Sequence, residues 1–340
     1  MGTLCNAGTR RTMLKGLAVA PLASALPGLF APAVHAQGAW PSSNITLIVP
    51  FPPGGQADLA ARPVAEALQR ILKTTVLIDN RSGAGGAIGN AAAAKATPDG
   101  HTLLMTLSSL AVLPVAARLF DRPSLYEVSQ LRPVARVLAD PTLLAVPANS
   151  PWKTVADLVA DAKARPNSIA YGSSGPYGTL HVAMEIFAAA AGIRMNNVNY
   201  RGAGPALNDL LAGQIQAMAS APGTLKQHVD AGTLRVLANW GAQRVPSFPD
   251  LPTFRELGYA DVEFYIWAGL FVPVATPEPI VERLRTVMRE TMESADVRAV
   301  FEKAGSPPAY QDAPEFTAFV ESDSARLVAA VQKIGKVAEQ

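Results

Sequence analysis

The chain has 340 residues, of which 49% are hydrophobic and 16% charged, and its formal net charge is +2. This length and apolar content suit two domains with sizeable cores and exclude a disordered chain. The weak, scattered charge excludes a protein that binds nucleic acid through a basic surface. The single cysteine, Cys5, excludes a disulfide scaffold and a zinc site built from cysteines.

Residues 1–36 have the pattern of an export signal. The pair Arg10-Arg11 precedes an apolar stretch, Gly16–Phe30, and Val34-His35-Ala36 is a small-x-small cleavage site. The arginine pair predicts the twin-arginine route. A membrane anchor is the alternative, but two prolines and a short apolar run favour a cleaved signal peptide. We expect cleavage near Ala36, which would leave a periplasmic chain without cysteine and with a net charge of −1.

The next stretch alternates between strand and helix patterns. The predicted order is strand Ile45–Val49, helix Ala57–Leu72, strand Thr75–Ile78, helix Ala87–Ala96 and strand Thr102–Leu107. The uncharged run that continues to Ala117 is predicted to be a buried strand followed by a loop. Alternation of this kind predicts a parallel sheet covered by helices.

The alternation restarts after Asp140-Pro141, which indicates a second lobe. Its predicted strands are Leu143–Val146, Ile169–Tyr171, Val198–Tyr200, Ile215–Met218 and Leu234–Ala238, and its predicted helices end at Ala164, Ala191, Leu211 and Ala231. A bulky apolar run, Phe264–Val272, then precedes amphipathic helices at Glu278–Glu293 and Pro314–Val337, which we expect to return to the first lobe. The sequence therefore predicts an α/β fold, with lobe 1 at 37–139 and 265–340, lobe 2 at 140–264, and a mostly parallel sheet flanked by helices in each.

Three glycine-rich loops, at 51–55, 172–179 and 200–205, each follow a predicted strand and open a helix. Backbone N–H groups at a helix start favour an anion, and glycine lets a ligand approach the backbone closely. One such loop is most simply an ordinary turn, but three in two lobes favour binding. The candidate ligand-binding residues are Phe51, Pro53, Gly54, Gly55, Asp58, Ser108, Ser173, Ser174, Gly175, Thr179, His181, Tyr200, Arg201, Gly202, Ala203 and Ser220.

Several of these residues allow two interpretations. Asp58 is either an acid at the start of a helix or a carboxylate facing the ligand. Arg201 either pairs with a ligand carboxylate or is a solvated loop residue. Ser174 and His181 could form a hydrolytic pair, although a histidine on the following helix is more often structural. The spacing of the histidines matches no metal site, and Gly83–Gly89 departs from the dinucleotide fingerprint.

The chain resembles the receptors of tripartite tricarboxylate transporters, often called Bug proteins. The matching stretches are Ile45–Asp58, Asp79–Gly89, Thr97–Met105, Tyr171–His181, Asn199–Gly213 and Phe248–Gly258. Their occurrence together and in order is far more specific than any single glycine loop. The resemblance implies a periplasmic binding protein fold that closes on a small carboxylate, with the loops at 51–55 and 173–179 facing the ligand.

The resemblance also implies that the partners are the carboxylate and membrane permease subunits, with no nucleic acid, and that the chain is a monomer with no catalytic residue, metal or cofactor. An exported hydrolase and a receptor used in signalling remain alternatives. Three positions depart from the family pattern: relatives commonly carry an acid at Ser220, Trp240 replaces a small residue, and Pro63 lies inside the first helix. These departures put the ligand class in question more than the fold.

Overall fold

The structure is a computed structural model that describes residues 40–336, so the predicted signal peptide lies outside the described residues. The strands are β1 (Ile45–Val49), β2 (Val76–Asn80), β3 (Thr102–Leu107), β4 (Leu131–Pro141), β5 (Leu143–Pro147), β6 (Ala170–Ser173), β7 (Asn196–Asn199), β8 (Ala217–Ser220), β9 (Leu234–Asn239), β10 (Tyr265–Pro273) and β11 (Gln311–Asp312). The helices are α1 (Gln56–Leu72), α2 (Ala87–Ala94), α3 (Ser109–Leu119), α4 (Val155–Ala164), α5 (Thr179–Ala191), α6 (Ala203–Leu211), α7 (Pro222–Asp230), α8 (Glu278–Glu293), α9 (Ala295–Ala304) and α10 (Ala313–Ile334).

The strands form two sheets, which confirms the two-lobed α/β fold. The first sheet has the order β11-β4-β10-β3-β1-β2, and the second has the order β7-β6-β8-β5-β9. In the first, β1 is parallel to β2 and β3, whereas β10 is antiparallel to β3 and β4, and β11 to β4. In the second, β6 is parallel to β7 and β8, whereas β5 is antiparallel to β8 and β9.

Both sheets are mixed: β10 and β11 run against the other strands of the first sheet, and β5 runs against the other strands of the second. The cause is the chain's passage between the sheets. It leaves the first sheet along β4 and enters the second along β5 after the single residue Thr142, and it returns along β10. Strand β5, which enters the second sheet, and strand β10, which re-enters the first, run against the strand–helix–strand units there and add antiparallel pairs, whereas β4 has the same direction as β3.

Three backbone hydrogen bonds hold the crossing segments together. The Trp240 amide donates to the Thr142 carbonyl at 2.8 Å, the Thr142 amide to the Phe264 carbonyl at 3.2 Å, and the Phe264 amide to the Trp240 carbonyl at 3.0 Å. The C-terminal helix α10 packs against α3 and β4 on one side and against α5 on the other. The two sheets are thus joined by these crossing segments and by α10.

One expectation about local structure was wrong, and one strand was missed. The stretch after Thr102–Leu107 forms helix α3 rather than a loop, because its nearly all-apolar sequence is buried beneath α10 and shows no clear face. Strand β4, with two prolines and two arginines, was not predicted at all. Pro63 lies within α1, which is assigned as one helix from Gln56 to Leu72.

Trp240 belongs to the core of the second lobe. Its ring is fully buried against Phe187 and Phe254, at centroid distances of 6.2 and 4.5 Å. Its indole N–H donates to the Ala183 carbonyl at 3.1 Å, which satisfies the buried donor. This departure from the family pattern therefore changes packing behind the second sheet. Among residues 40–336, no helix is long and apolar enough to cross a membrane.

Candidate functional site

The loop before α1 and the loop before α6 touch across the gap between the sheets. A methyl group added to Gly202 would lie 2.6 Å from Cδ of Pro52, and one added to Gly204 would lie 2.7 Å from the Pro53 carbonyl oxygen. A methyl group on Gly55 would lie 3.6 Å from Cβ of Ala203. Because glycine has no side chain, the two backbones can approach closely here. The N-termini of α1 and α6 face the same contact.

The loop before α5 meets a second loop of the first lobe. A methyl group on Gly175 would lie 3.1 Å from the Gly85 amide nitrogen, and one on Gly85 would lie 3.6 Å from Cα of Gly178. Both Gly85 and Gly175 have positive φ angles, of 67° and 103°, which residues with a Cβ rarely adopt. All three predicted glycine loops therefore lie where the two lobes meet.

Asp58 organises the loop before α1. Its buried carboxylate accepts two hydrogen bonds from the Arg62 guanidinium at 2.8 Å, one from the Gly54 amide at 3.0 Å and one from the Asn80 side chain at 3.2 Å. Asn80 also donates to the Phe51 carbonyl at 2.9 Å. With its oxygens occupied in this way, Asp58 fits the interpretation as a helix-start acid that shapes the loop. Among its donors is the Gly54 amide, which we had expected to face a ligand.

His181 organises the loop before α5. Its Nδ1 accepts from the Tyr177 amide at 2.9 Å, and Tyr177 has an unusual positive φ of 54° for a residue with a side chain. Burial lowers the pKa of His181 to about 4, so the ring is neutral at physiological pH. The Ser174 hydroxyl instead accepts from the Leu180 amide, at 3.5 Å. Within residues 40–336 Ser174 and His181 share no hydrogen bond, which argues against the hydrolytic pair.

The remaining side chains of the two second-lobe loops have local partners. Ser173 donates to the Asn199 side chain at 3.1 Å, and Tyr200 donates to Asp209 at 2.6 Å. Burial and that carboxylate raise the pKa of Tyr200 to about 12. Arg201 is exposed to solvent, in keeping with the interpretation as a solvated loop residue. These residues shape the loops rather than presenting charge to the gap between the lobes.

Two candidate side chains have polar atoms with no partner. Oγ1 of Thr179 and Oγ of Ser220 are fully buried, each residue being 1% exposed, and neither forms a hydrogen bond within the described part of the chain. Thr179 follows β6 and Ser220 ends β8, and these strands are parallel neighbours, so both residues lie at the same edge of the second sheet. The hydroxyl of Ser108, directly after β3, donates a long bond of 3.5 Å to the Tyr265 carbonyl.

Some residues near this edge were not predicted. Gln56, Asp140 and Thr224 are buried close to where the lobes join, and Gln56 donates to the Asp140 carboxyl. Nothing in the sequence pattern singled out Gln56 or Thr224, and Asp140 was noted only as a break between lobes. No group of histidine, cysteine or acidic residues suited to a metal ion occurs in the range 40–336.

The chain matches a family model, curated relatives and solved structures. A family model described as "Tripartite tricarboxylate transporter family receptor" matches residues 60–336. Protein BugT of Bordetella pertussis is 34% identical over 325 residues, covering 95% of this chain and 98% of BugT. Two solved structures have TM-scores of 0.82: the periplasmic binding protein BugD, at 27% identity, and the R. palustris protein Rpa4515 with adipate, at 31%. Each alignment covers 87% of this chain, with 99% of BugD and 98% of Rpa4515.

Proposed function

The chain belongs to the tripartite tricarboxylate transporter family of receptors, and we propose that it captures a small organic carboxylate between its lobes and delivers it to the membrane permease subunits of such a transporter. On this proposal it is a periplasmic monomer without catalytic activity, exported by a twin-arginine signal peptide that is cleaved near Ala36. Its ligand closes lobe 2, at 140–264, against lobe 1, at 37–139 and 265–340.

One observation carries the proposal: helices of both lobes begin where the lobes meet, and two buried hydroxyls at the edge of the second sheet have no partner within residues 40–336. Helices α1 and α6 begin on either side of one contact, and α5 begins beside the other. Helix N-termini favour a negative group, and buried hydroxyls without partners cost free energy unless a ligand or water satisfies them. Thr179 and Ser220 supply such hydroxyls, and a carboxylate would accept from both.

Direct charge attraction contributes little to this proposal. The mature chain has a net charge of −1, and Arg201 is exposed. Fewer backbone amides are available to a ligand than the sequence indicated. The Gly54 amide already donates to Asp58, the Tyr177 amide to His181, and the Gly178 amide to the Gly175 carbonyl. We therefore assign the carboxylate mainly to the start of α5 and to the hydroxyls of Thr179 and Ser220.

Calorimetry on the mature protein tests the proposal. Adipate, with which the relative Rpa4515 was solved, and a set of other aliphatic and aromatic carboxylates are titrated into the protein. We expect stoichiometric binding of at least one carboxylate and no product by chromatography. Failure of every carboxylate to bind, or turnover of the bound compound, would reject the receptor function.

A pair of matched variants locates the site. Thr179→Val removes a buried, unpartnered hydroxyl at the start of α5, and Thr291→Val removes one from α8. We expect Thr179→Val to weaken carboxylate binding by about 1–3 kcal/mol, the cost of leaving a charged acceptor without one donor. Thr291→Val is expected to bind like the wild type. Equal affinities for the two variants would place the carboxylate elsewhere.

A further inference from the structure

A second group of buried polar residues lies between the lobes, next to the start of α1. We define the hinge cluster as Gln56, Asp140, Gly223, Thr224 and Ser306. Gln56 begins α1, Asp140 lies near the end of β4, and Gly223 and Thr224 lie in the first turn of α7, which belongs to the second lobe. The four members with polar side chains are all at most 3% exposed.

Hydrogen bonds join the cluster across the two lobes. The Gln56 side-chain amide donates to the Asp140 carboxyl, and the Ser306 hydroxyl interacts with that carboxyl and favours its ionised form. The Gly223 amide donates to Oγ of Ser306 at 2.9 Å. A methyl group on Gly223 would lie 2.7 Å from that oxygen and 3.3 Å from Oε1 of Gln56, so the glycine keeps this space clear of a side chain.

The cluster has more acceptors than donors. Oε1 of Gln56 and Oγ1 of Thr224 are fully buried and have no hydrogen-bond partner among the described residues. The Asp140 carboxyl is buried, and within residues 40–336 no lysine, arginine or histidine forms an ion pair with it. Buried carboxyls are normally paired with a cation, because an unpaired charge is poorly tolerated away from water.

A primary ammonium group matches what the cluster lacks. It carries a positive charge and three N–H donors, and the buried acceptors here are the Asp140 carboxyl, Oε1 of Gln56 and, one residue after Gly223, Oγ1 of Thr224. A ligand hydroxyl would supply one donor and no charge, and a second carboxylate would add acceptors beside Asp140. Burial raises the pKa of Asp140 to about 7, so a cation close to the carboxyl readily favours its ionised form.

We propose that the hinge cluster binds a primary ammonium group at the end of the ligand opposite its carboxylate, so that the chain takes up zwitterionic amino carboxylates. This inference rests on the proposed function, because it places the carboxylate of the same ligand near Thr179 and Ser220. Gln56 directly follows Gly55, where an added methyl group would lie 3.6 Å from Cβ of Ala203 in the other lobe, so the cluster adjoins the contact between α1 and α6. Closure of the lobes brings α7 to the ammonium.

Calorimetry with ligands matched in length tests the proposal. One series is butyrate, γ-aminobutyrate and succinate, and the other is caproate, ε-aminocaproate and adipate. In at least one series we expect the amino carboxylate to bind about tenfold to a hundredfold more tightly than the alkyl carboxylate, as a charge-assisted hydrogen bond provides. If the alkyl carboxylates or dicarboxylates bind as tightly as the amino carboxylates, the inference fails and the receptor function stands. If none of the compounds binds, both fail.

Two variants assign any preference to the cluster. Asp140→Asn keeps the shape of the side chain and removes its charge, and Thr224→Val removes the hydroxyl at nearly constant volume. Each should reduce the preference for the amino carboxylate by about tenfold while leaving alkyl carboxylate binding unchanged, and the control Thr291→Val should leave the preference unchanged. A preference that survives both cluster variants overturns the assignment, and Thr224→Val decides alone if Asp140→Asn does not fold.

Discussion

The phenol of Tyr177 donates a hydrogen bond of 2.6 Å to the main-chain carbonyl of Gly335, which follows the last turn of α10. Tyr177 lies in the loop before α5, at the contact with the first lobe, and its own amide donates to His181. The C-terminal helix therefore helps to fix the loop to which we assign the ligand carboxylate. Since α10 also packs on α3 and β4, the bond joins the loop to the first lobe.

Removal of this bond should loosen the loop. Tyr177→Phe keeps the edge-to-face contact with Phe120, at a centroid distance of 5.9 Å, and removes the hydroxyl that donates to Gly335. We expect a loss of about 1 kcal/mol in the free energy of unfolding, measured by urea denaturation, and weaker carboxylate binding. Unchanged stability together with unchanged affinity would show that the bond is not needed to hold the loop.

The buried ring of His181 should make the protein less stable in mild acid. Its pKa is lowered from 6.5 to about 4 in the folded chain, so the unfolded chain takes up a proton at higher pH than the folded chain does. Its contribution to stability is complete above about pH 6.5 and is lost as the pH falls toward about 4, by about 3 kcal/mol at most. Urea denaturation across this range should show a smaller acid loss in His181→Gln than in the wild type.

The carboxyl of Asp140 should have the opposite effect. Its pKa is raised from 3.8 to about 7, so the folded chain holds a proton that the unfolded chain has released, and stability decreases as the pH rises through this range. Nearby charged groups are already paired: Arg62 with Asp58, Lys226 with Asp230, and Arg244 with Glu256. The phenol of Tyr265 lines one cavity together with Asp140.

Asp140→Asn provides the measurement. Relative to the wild type, this variant should gain up to about 4 kcal/mol in the free energy of unfolding when the pH is raised from about 4 to about 8. Wild-type and variant curves that stay parallel over this range would show that burial does not keep the carboxyl protonated.

The sequence predicted elements well where the pattern was local. Strands β1 and β3 and helix α5 have the expected bounds. Helix α3 and strand β4 were missed because tertiary packing decides their structure. An apolar run that is buried on most sides shows no helical periodicity, and β4 pairs with β10 along its length although its two prolines are untypical of an inner strand.

The site could be predicted only in part for a similar reason. Glycine loops at strand ends are visible in the sequence, and the structure places all of them where the lobes meet. Which amides and side chains remain available to a ligand depends on partners distant in sequence, such as Asn80 for the carboxylate of Asp58 or Gly335 for the phenol of Tyr177. The hinge cluster combines segments from residue 56 to residue 306, and no local motif indicates it.

The contact between α6 and the loop before α1 gives a test of closure that does not alter any polar group. In Gly204→Ala, the added methyl group would lie 2.7 Å from the carbonyl oxygen of Pro53, closer than Cβ atoms approach in real structures. Because the obstacle is backbone, the two lobes must separate to relieve the contact. The φ angle of Gly204 is not positive, and alanine is the better helix former by about 0.5–1 kcal/mol, so the second lobe itself should not be weakened.

We therefore expect Gly204→Ala to unfold at the same or a higher urea concentration than the wild type and yet to bind carboxylate about tenfold or more weakly, since relief of overpacking costs about 1–3 kcal/mol. Small-angle scattering with saturating ligand should give a larger radius of gyration than for the wild type. Asn208→Ala, at an exposed position of the same helix, is the control and should match the wild type in affinity and scattering. If Gly204→Ala binds and closes like the wild type, ligand binding does not require the α1 loop and α6 to meet as closely as they do here.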